Sequence, residues 1–86
     1  MDYIKKLEEC FEIELHYLAV GLSKEYDRRN RGNVAWYCVQ RCLGATQFAE
    51  MCGADSATVE AMFEAVKEKI SEMENGAGQK PQPMIQ

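Results

Sequence analysis

Residues 4–26 repeat apolar side chains at every third or fourth position, and they do so twice over. Ile4, Leu7, Phe11, Leu15, Leu18, Leu22 and Tyr26 share one narrow arc, while Cys10, Ile13, Tyr17 and Val20 form a second stripe on the far side, at about 100° per residue. That period is helical, and nothing in the chain shows the sustained alternation of a half-buried strand. A surface helix needs one apolar stripe. A helix with nearly two has to be covered from two directions. Asp2 is a good N-cap, so the spacing predicts a helix from Asp2 to about Asp27.

The pattern recurs twice. Asn30, Gly32 and Asn33 predict a break, making Arg28-Arg29-Asn30-Arg31-Gly32-Asn33 an inter-helix hinge and Asn33 the cap of a second helix to about Cys52. Gly53 suits the left-handed position just past that helix. One side of the second helix is small: Val34, Ala35, Cys38, Cys42, Ala45, Ala49 and Cys52. Trp36, Val39 and Leu43 form another edge, with Tyr37, Phe48 and Met51 towards a third side. Such a helix is central. A third helix is expected from Asp55 or Ser56 to near Asn75-Gly76. Its stripe is Val59, Met62, Phe63, Val66, Ile70 and Met73, and its back carries Glu60, Glu64, Lys67, Glu68, Lys69 and Glu72. The expected fold is all-α, three main helices in a compact bundle or array without a sheet. Residues 1–76 form the single domain and 77–86, which holds both prolines, a flexible tail.

A chain of 86 residues buries only roughly 60–65% of its unfolded surface, which leaves a marginal core unless association adds to it. The surplus stripes therefore predict a homo-oligomer, joined through Ile13, Tyr17, Val20, Trp36 and Leu43. No run approaches the ~20 apolar residues that span a bilayer, and the first residues are charged and amphipathic rather than leader-like. The expectation is a cytoplasmic protein whose four cysteines are reduced thiols.

Charge is unevenly spread. Lys24, Arg28, Arg29, Arg31 and Arg41 face only Glu25 and Asp27 within residues 24–41, yet the whole chain has a net charge of −4. A concentrated cationic patch attracts anions or acidic protein surfaces. Arginine forks beside Trp36 and Tyr37, at a helix opened by Asn33, suit a phosphate or a nucleobase. Arg28, Arg29, Arg31, Asn33, Trp36, Tyr37 and Arg41 are accordingly the candidate partner- or anion-binding residues. The bland alternative is that these arginines solvate a loop and pair with acids on the neighbouring helices.

Other patterns carry less. The stretch from Gln47 to Met62 resembles a helix-turn-helix, with Ala49, Gly53, Val59 and Met62 at its small, turn and apolar positions. Asp55, Glu60 and Glu64 would face DNA on the second helix, so sequence-specific DNA readout is not expected. Cys38 and Cys42 lie one turn apart, but no C-x-x-C pair accompanies them and they read as small core residues rather than a metal site. His16 follows Glu12 by one turn, which predicts a local ion pair. No nucleophile–base pair and no phosphate loop is visible, so neither catalysis nor a cofactor is expected.

In size, acidity, a single helical domain and the lack of a catalytic signature, the chain resembles short helical accessory proteins of prophages and mobile elements of Gram-positive bacteria. The resemblance implies a regulatory or counter-defence role exercised by binding. The functional expectation is a non-enzymatic inhibitor or adaptor that engages a macromolecular partner through the basic hinge. Two alternatives remain open: an oligomeric sponge for an anionic small molecule such as a nucleotide, and a nucleic-acid-binding accessory protein.

Overall fold

Three aspartates start the three helices. The computed structural model describes residues 2–76: α1 spans Tyr3–Ser23, α2 Arg28–Met51 and α3 Ser56–Glu74. Asp2 Oδ1 accepts from the Lys5 N–H at 3.1 Å, Asp27 Oδ1 from the Arg29 N–H at 3.2 Å and Asp55 Oδ2 from the Thr58 N–H at 2.9 Å. Each bond satisfies one of the amide groups that a helix start leaves without an internal partner.

Two boundaries differ from expectation. The cap of α2 is Asp27, not Asn33, and the Arg31 N–H already bonds the Asp27 carbonyl at 2.9 Å. The six residues read as a hinge are therefore the first turns of α2. Gly32 and Asn33 weaken a helix by up to about 1 kcal/mol each, but α2 packs against both other helices along its length, and tertiary contact overrides propensity. Correspondingly α1 stops at Ser23. Tyr26 falls in the four-residue linker and is 89% exposed instead of extending the core stripe.

The α2–α3 corner is the expected tight turn. Gly53 takes φ +100°, the Ala54 N–H bonds the Ala49 carbonyl and the Gly53 N–H the Glu50 carbonyl, both at 3.0 Å. This is a Schellman motif, and it returns α3 along α2. Among the described residues there is no strand, and no helix is long and apolar enough to cross a membrane. The tail expected at 77–86 lies outside the described residues.

Large side chains come from α1 (Leu7, Phe11, Leu18, Leu22) and medium ones from α3 (Val59, Val66, Ile70). The middle helix contributes Ala35, Cys38, Cys42, Thr46 and Ala49. Small residues on α2 let both neighbours approach its backbone, so the seam read from the sequence is the core of the bundle. Thr46, the one buried polar residue among the described residues, donates its hydroxyl to the Cys42 carbonyl at 2.9 Å. Burying a Leu18 or Ile70 stabilises by about 1.5–3 kcal/mol each.

Candidate functional site

The basic segment sits where three helix ends converge: the start of α2 and the ends of α1 and α3. Arg31 holds them together. Its Nη1 donates to the carbonyls of Leu22 and Glu25, both at 2.9 Å. Its Nη2 donates to Met73 at 3.1 Å and Glu74 at 2.9 Å, and its Nε to Glu74 at 3.1 Å. A guanidinium has five N–H donors, and all five are committed. The acceptors include the last carbonyls of α1 and α3, which carry the partial negative charge of a helix C-terminus. Arg31 thus closes the end of the bundle and has no donor left for a ligand.

Arg28 and Arg29 are different. Successive helical residues point about 100° apart, so neither follows Arg31 inward, and both are exposed. Among the described residues no carboxylate lies within ion-pair distance of Lys24, Arg28 or Arg29; the ion pairs are Lys6–Glu9, Arg41–Glu14 and Lys67–Glu64. Tyr26 stands beside them. An open hollow of about 390 Å³ lies at this end, lined by Glu25, Tyr26, Arg28, Arg31, Glu74 and the Asn75–Gly76 turn. Two acids in that lining offset much of the positive potential inside the hollow, whereas the outer rim remains cationic.

The other expected site residues lie elsewhere. Arg41 donates from Nε to Glu14 Oε1 at 2.7 Å across the α1–α2 seam. That bond raises the guanidinium's pKa further. Trp36 lines a shallow apolar groove of about 220 Å³ between α2 and α3, with Ala35, Val39, Ile70 and Lys67. Its ring meets Tyr37 edge-on at 5.1 Å. Tyr37 and Asn33 face outward from α2, away from α3. The seven candidates are therefore divided among the bundle end, the seam, the groove and the outer face, and they do not form one pocket.

Cys38 and Cys42 are core packing residues, whereas Cys10 and Cys52 are half-buried. Burial pushes the Cys42 thiol up to about 12, with Cys38 beside it as a further cause. Burial also raises Cys38 and Cys10. Cys38 Sγ lies 3.8 Å from the Glu14 carbonyl. Among the described residues no group of three or more metal-ligating side chains converges. His16 is not ion-paired with Glu12, contrary to expectation; it packs edge-on against Tyr17 at 5.7 Å.

Tyr26 was missed as a site residue because it continued the arc of α1. Recognising Asp27 as a cap would have ended α1 earlier and freed it. No family model, curated protein or solved structure matches the chain, so its functional reading rests on this geometry.

Proposed function

We propose that the chain is a non-enzymatic inhibitor or adaptor, and that it docks an acidic or phosphate-bearing macromolecule on the bundle end formed by Lys24, Tyr26, Arg28 and Arg29. The observation that carries this reading is the juxtaposition of three unpaired cations with a tyrosine that is 89% exposed. An aromatic body among arginines is the composition that concentrates binding energy at interfaces. Arg31 holds the backbone beneath them through its five bonds, so the end is preorganised and binding loses little to ordering. The resemblance to accessory proteins of mobile elements supports an inhibitor, with counter-defence as its setting.

The test is side-by-side capture from a lysate by wild type and by the Tyr26→Ala, Arg28→Glu, Arg29→Glu triple variant. Each is first checked for unchanged helicity and melting. The expected result is one or more partners retained by wild type and lost by the variant. Equal capture by both would refute the assignment of the end.

The hollow beside Tyr26 and Arg28 favours a second reading, a receptor for an anionic small molecule. A nucleotide present at ~100 times its Kd would add about 2.7 kcal/mol, which a thermal-shift panel reads easily. Nucleic acid as partner would show instead as binding that falls steeply with salt.

A further inference from the structure

The outer face of the α1–α2 pair is rich in exposed apolar side chains. Ile13, Tyr17, Val20, Tyr37, Phe48 and Met51 are each between 46% and 83% exposed. They belong to one surface. On α1, Glu14, Tyr17 and Gly21 recur at intervals of three and four residues. Glu14 bonds Arg41, and a Cβ on Gly21 would meet Val34 Cγ1 at 3.4 Å. Tyr17 therefore stands at the edge of α1 that borders α2, with Ile13 and Val20 just outward of it. On α2, Tyr37, Arg41, Gly44, Phe48 and Met51 repeat at intervals of four and three, the seam spacing of helices that pack side by side.

Two further features single this face out. From Gly32 to Ala49, α2 carries one charged side chain, Arg41, and Glu14 neutralises it at 2.7 Å. On the neighbouring part of α1, Lys6 and Glu9 pair at 3.7 Å. The back of α3, by contrast, is densely charged. Interface cores are depleted in Lys, Glu and Asp and enriched in Tyr, Phe, Met and Arg. The second feature is Gly44. A mid-helix glycine destabilises relative to alanine. A Cβ on Gly21 or Gly32 would be in ordinary van der Waals contact at 3.4 Å, whereas a Cβ on Gly44 would meet nothing within 4 Å. No contact inside the chain calls for a glycine there.

We infer that this face is the contact between two copies of the chain, packed antiparallel about a two-fold axis at Gly44. The two-fold fixes which side chains meet. Counting outward from Gly44, Tyr37 lies seven residues before and Met51 seven after, Gln40 and Phe48 lie four to either side, and Arg41 and Gln47 three. An antiparallel pair centred there sets Tyr37 against the second copy's methionine, a favourable sulfur–aromatic contact. It also sets Gln40 and Arg41 beside Phe48 and Gln47, with the two glycines letting the backbones approach. A two-fold contact of this kind is isologous, so each of these residue pairs occurs twice. The charges near the face, Arg41–Glu14 and Lys6–Glu9, are paired within the chain, and the repulsion between two chains of net charge −4 is screened by salt. The six exposed apolar side chains leave on the order of 700 Å² wet, taking a whole aromatic side chain at ~150–250 Å². With the polar residues between them they supply the about 800 Å² per partner that a stable interface uses. Trp36 and Leu43 are expected in the contact from sequence; Trp36 instead lines the α2–α3 groove, and Leu43, half-buried, is outside the six side chains counted here. The dimer is independent of the binding end proposed above. It would set the two copies' Arg28 residues ~48 Å apart along α2.

Light scattering and sedimentation equilibrium on the full chain, from micromolar to millimolar protein, test this. Wild type is expected at about twice 9.8 kDa, with a melting temperature that rises with concentration. Gly44→Leu fills the crossing point while improving intrinsic helicity, and should weaken association at least ~10-fold with monomer helicity retained. Phe48→Glu should do the same. Cysteine pairs give the register. In a Cys10→Ser, Cys52→Ser background a short bis-maleimide should link Gly44→Cys to itself and should link Tyr37→Cys chains to Met51→Cys chains, but not Tyr37→Cys chains to each other. A 9.8 kDa monomer throughout, a Gly44→Leu dimer of unchanged affinity, or self-linking at position 37 would each overturn the proposal.

Discussion

Replacing Arg31 should damage the fold far more than replacing its neighbours in the same basic run. The side chain makes five hydrogen bonds to four carbonyls, two of them at the end of α3 and one at the end of α1. Hydrogen bonds to a charged group contribute about 1.5–3 kcal/mol each when isolated. They do not add here, because one guanidinium makes them all and the half-buried carbonyls can take water once it is gone. We therefore expect Arg31→Ala to destabilise by about 3–4 kcal/mol, out of the ~4–11 kcal/mol available to a domain of this size. Arg31→Lys keeps the charge but not the planar fork, so it should lose about 1.5–2 kcal/mol. At ~4–8 °C per kcal/mol, the lysine variant should melt roughly 6–16 °C below wild type. Arg28→Ala and Arg29→Ala, exposed on the same end, should each stay within ~0.5 kcal/mol. Thermal and urea unfolding followed by far-UV circular dichroism reads all four variants. An Arg31→Lys protein that melts within ~3 °C of wild type would refute the view that this side chain closes the bundle.

Three other outcomes follow from local chemistry. Cys42 is held protonated by burial, its folded pKa being about 12 against 9.0. Its contribution is thus complete below 9.0 and fades as pH rises through that interval. Cys42→Ala should show a smaller alkaline loss than wild type in pH-dependent melting, and native thiol titration near neutral pH should modify Cys10 and Cys52 before Cys38 and Cys42. Asp55 is held below its ordinary 3.8 by the Thr58 hydroxyl and then the Thr58 amide. Its stabilising effect is present above 3.8 and is lost as pH falls through the lowered value, so Asp55→Ala should lower the melting temperature at neutral pH and converge with wild type in acid. Glu50 Oε2 is buried without a hydrogen-bond partner. Glu50→Met, which removes the unpartnered oxygen at similar side-chain length, should therefore shift the urea midpoint upward by an amount corresponding to about 0.5–1 kcal/mol, and a downward shift would mean that the oxygen has a partner in solution.

The apolar spacing of α1 and α3 revealed their buried faces directly. Leu7, Phe11, Leu18, Leu22, Val59, Val66 and Ile70 are core residues because a 3.6-residue repeat has one geometric solution. The small seam of α2 was equally readable. The boundary between α1 and α2 was not, since Asp27 and Asn33 are both acceptable caps and local preference alone cannot choose between them. The choice was made at long range. Starting α2 at Arg28 brings Arg31 to the carbonyls of Met73 and Glu74, more than forty residues away. No local pattern signals that contact.

The same shift decides what the basic run can do. In a loop, Arg28, Arg29 and Arg31 could all turn towards one ligand. On a helix their side chains are separated by fixed steps of about 100°. Arg31 points at the helix ends, while Arg28 and Arg29 stand outside with Tyr26. Arg41, thirteen residues on from Arg28, is taken up by Glu14. Local net charge therefore overstated the free positive field. Of the arginines in the cationic stretch, two remain available, and a partner that needs a dense cluster of guanidinium groups would not find one here. What the end offers is smaller and more exposed: two arginines, a lysine and a tyrosine on a backbone that Arg31 holds still. A surface of that kind matches a modest acidic patch on a protein better than the continuous phosphates of a nucleic acid. Binding through it should consequently show a shallow salt dependence, and a steep one would point to contacts beyond these four side chains.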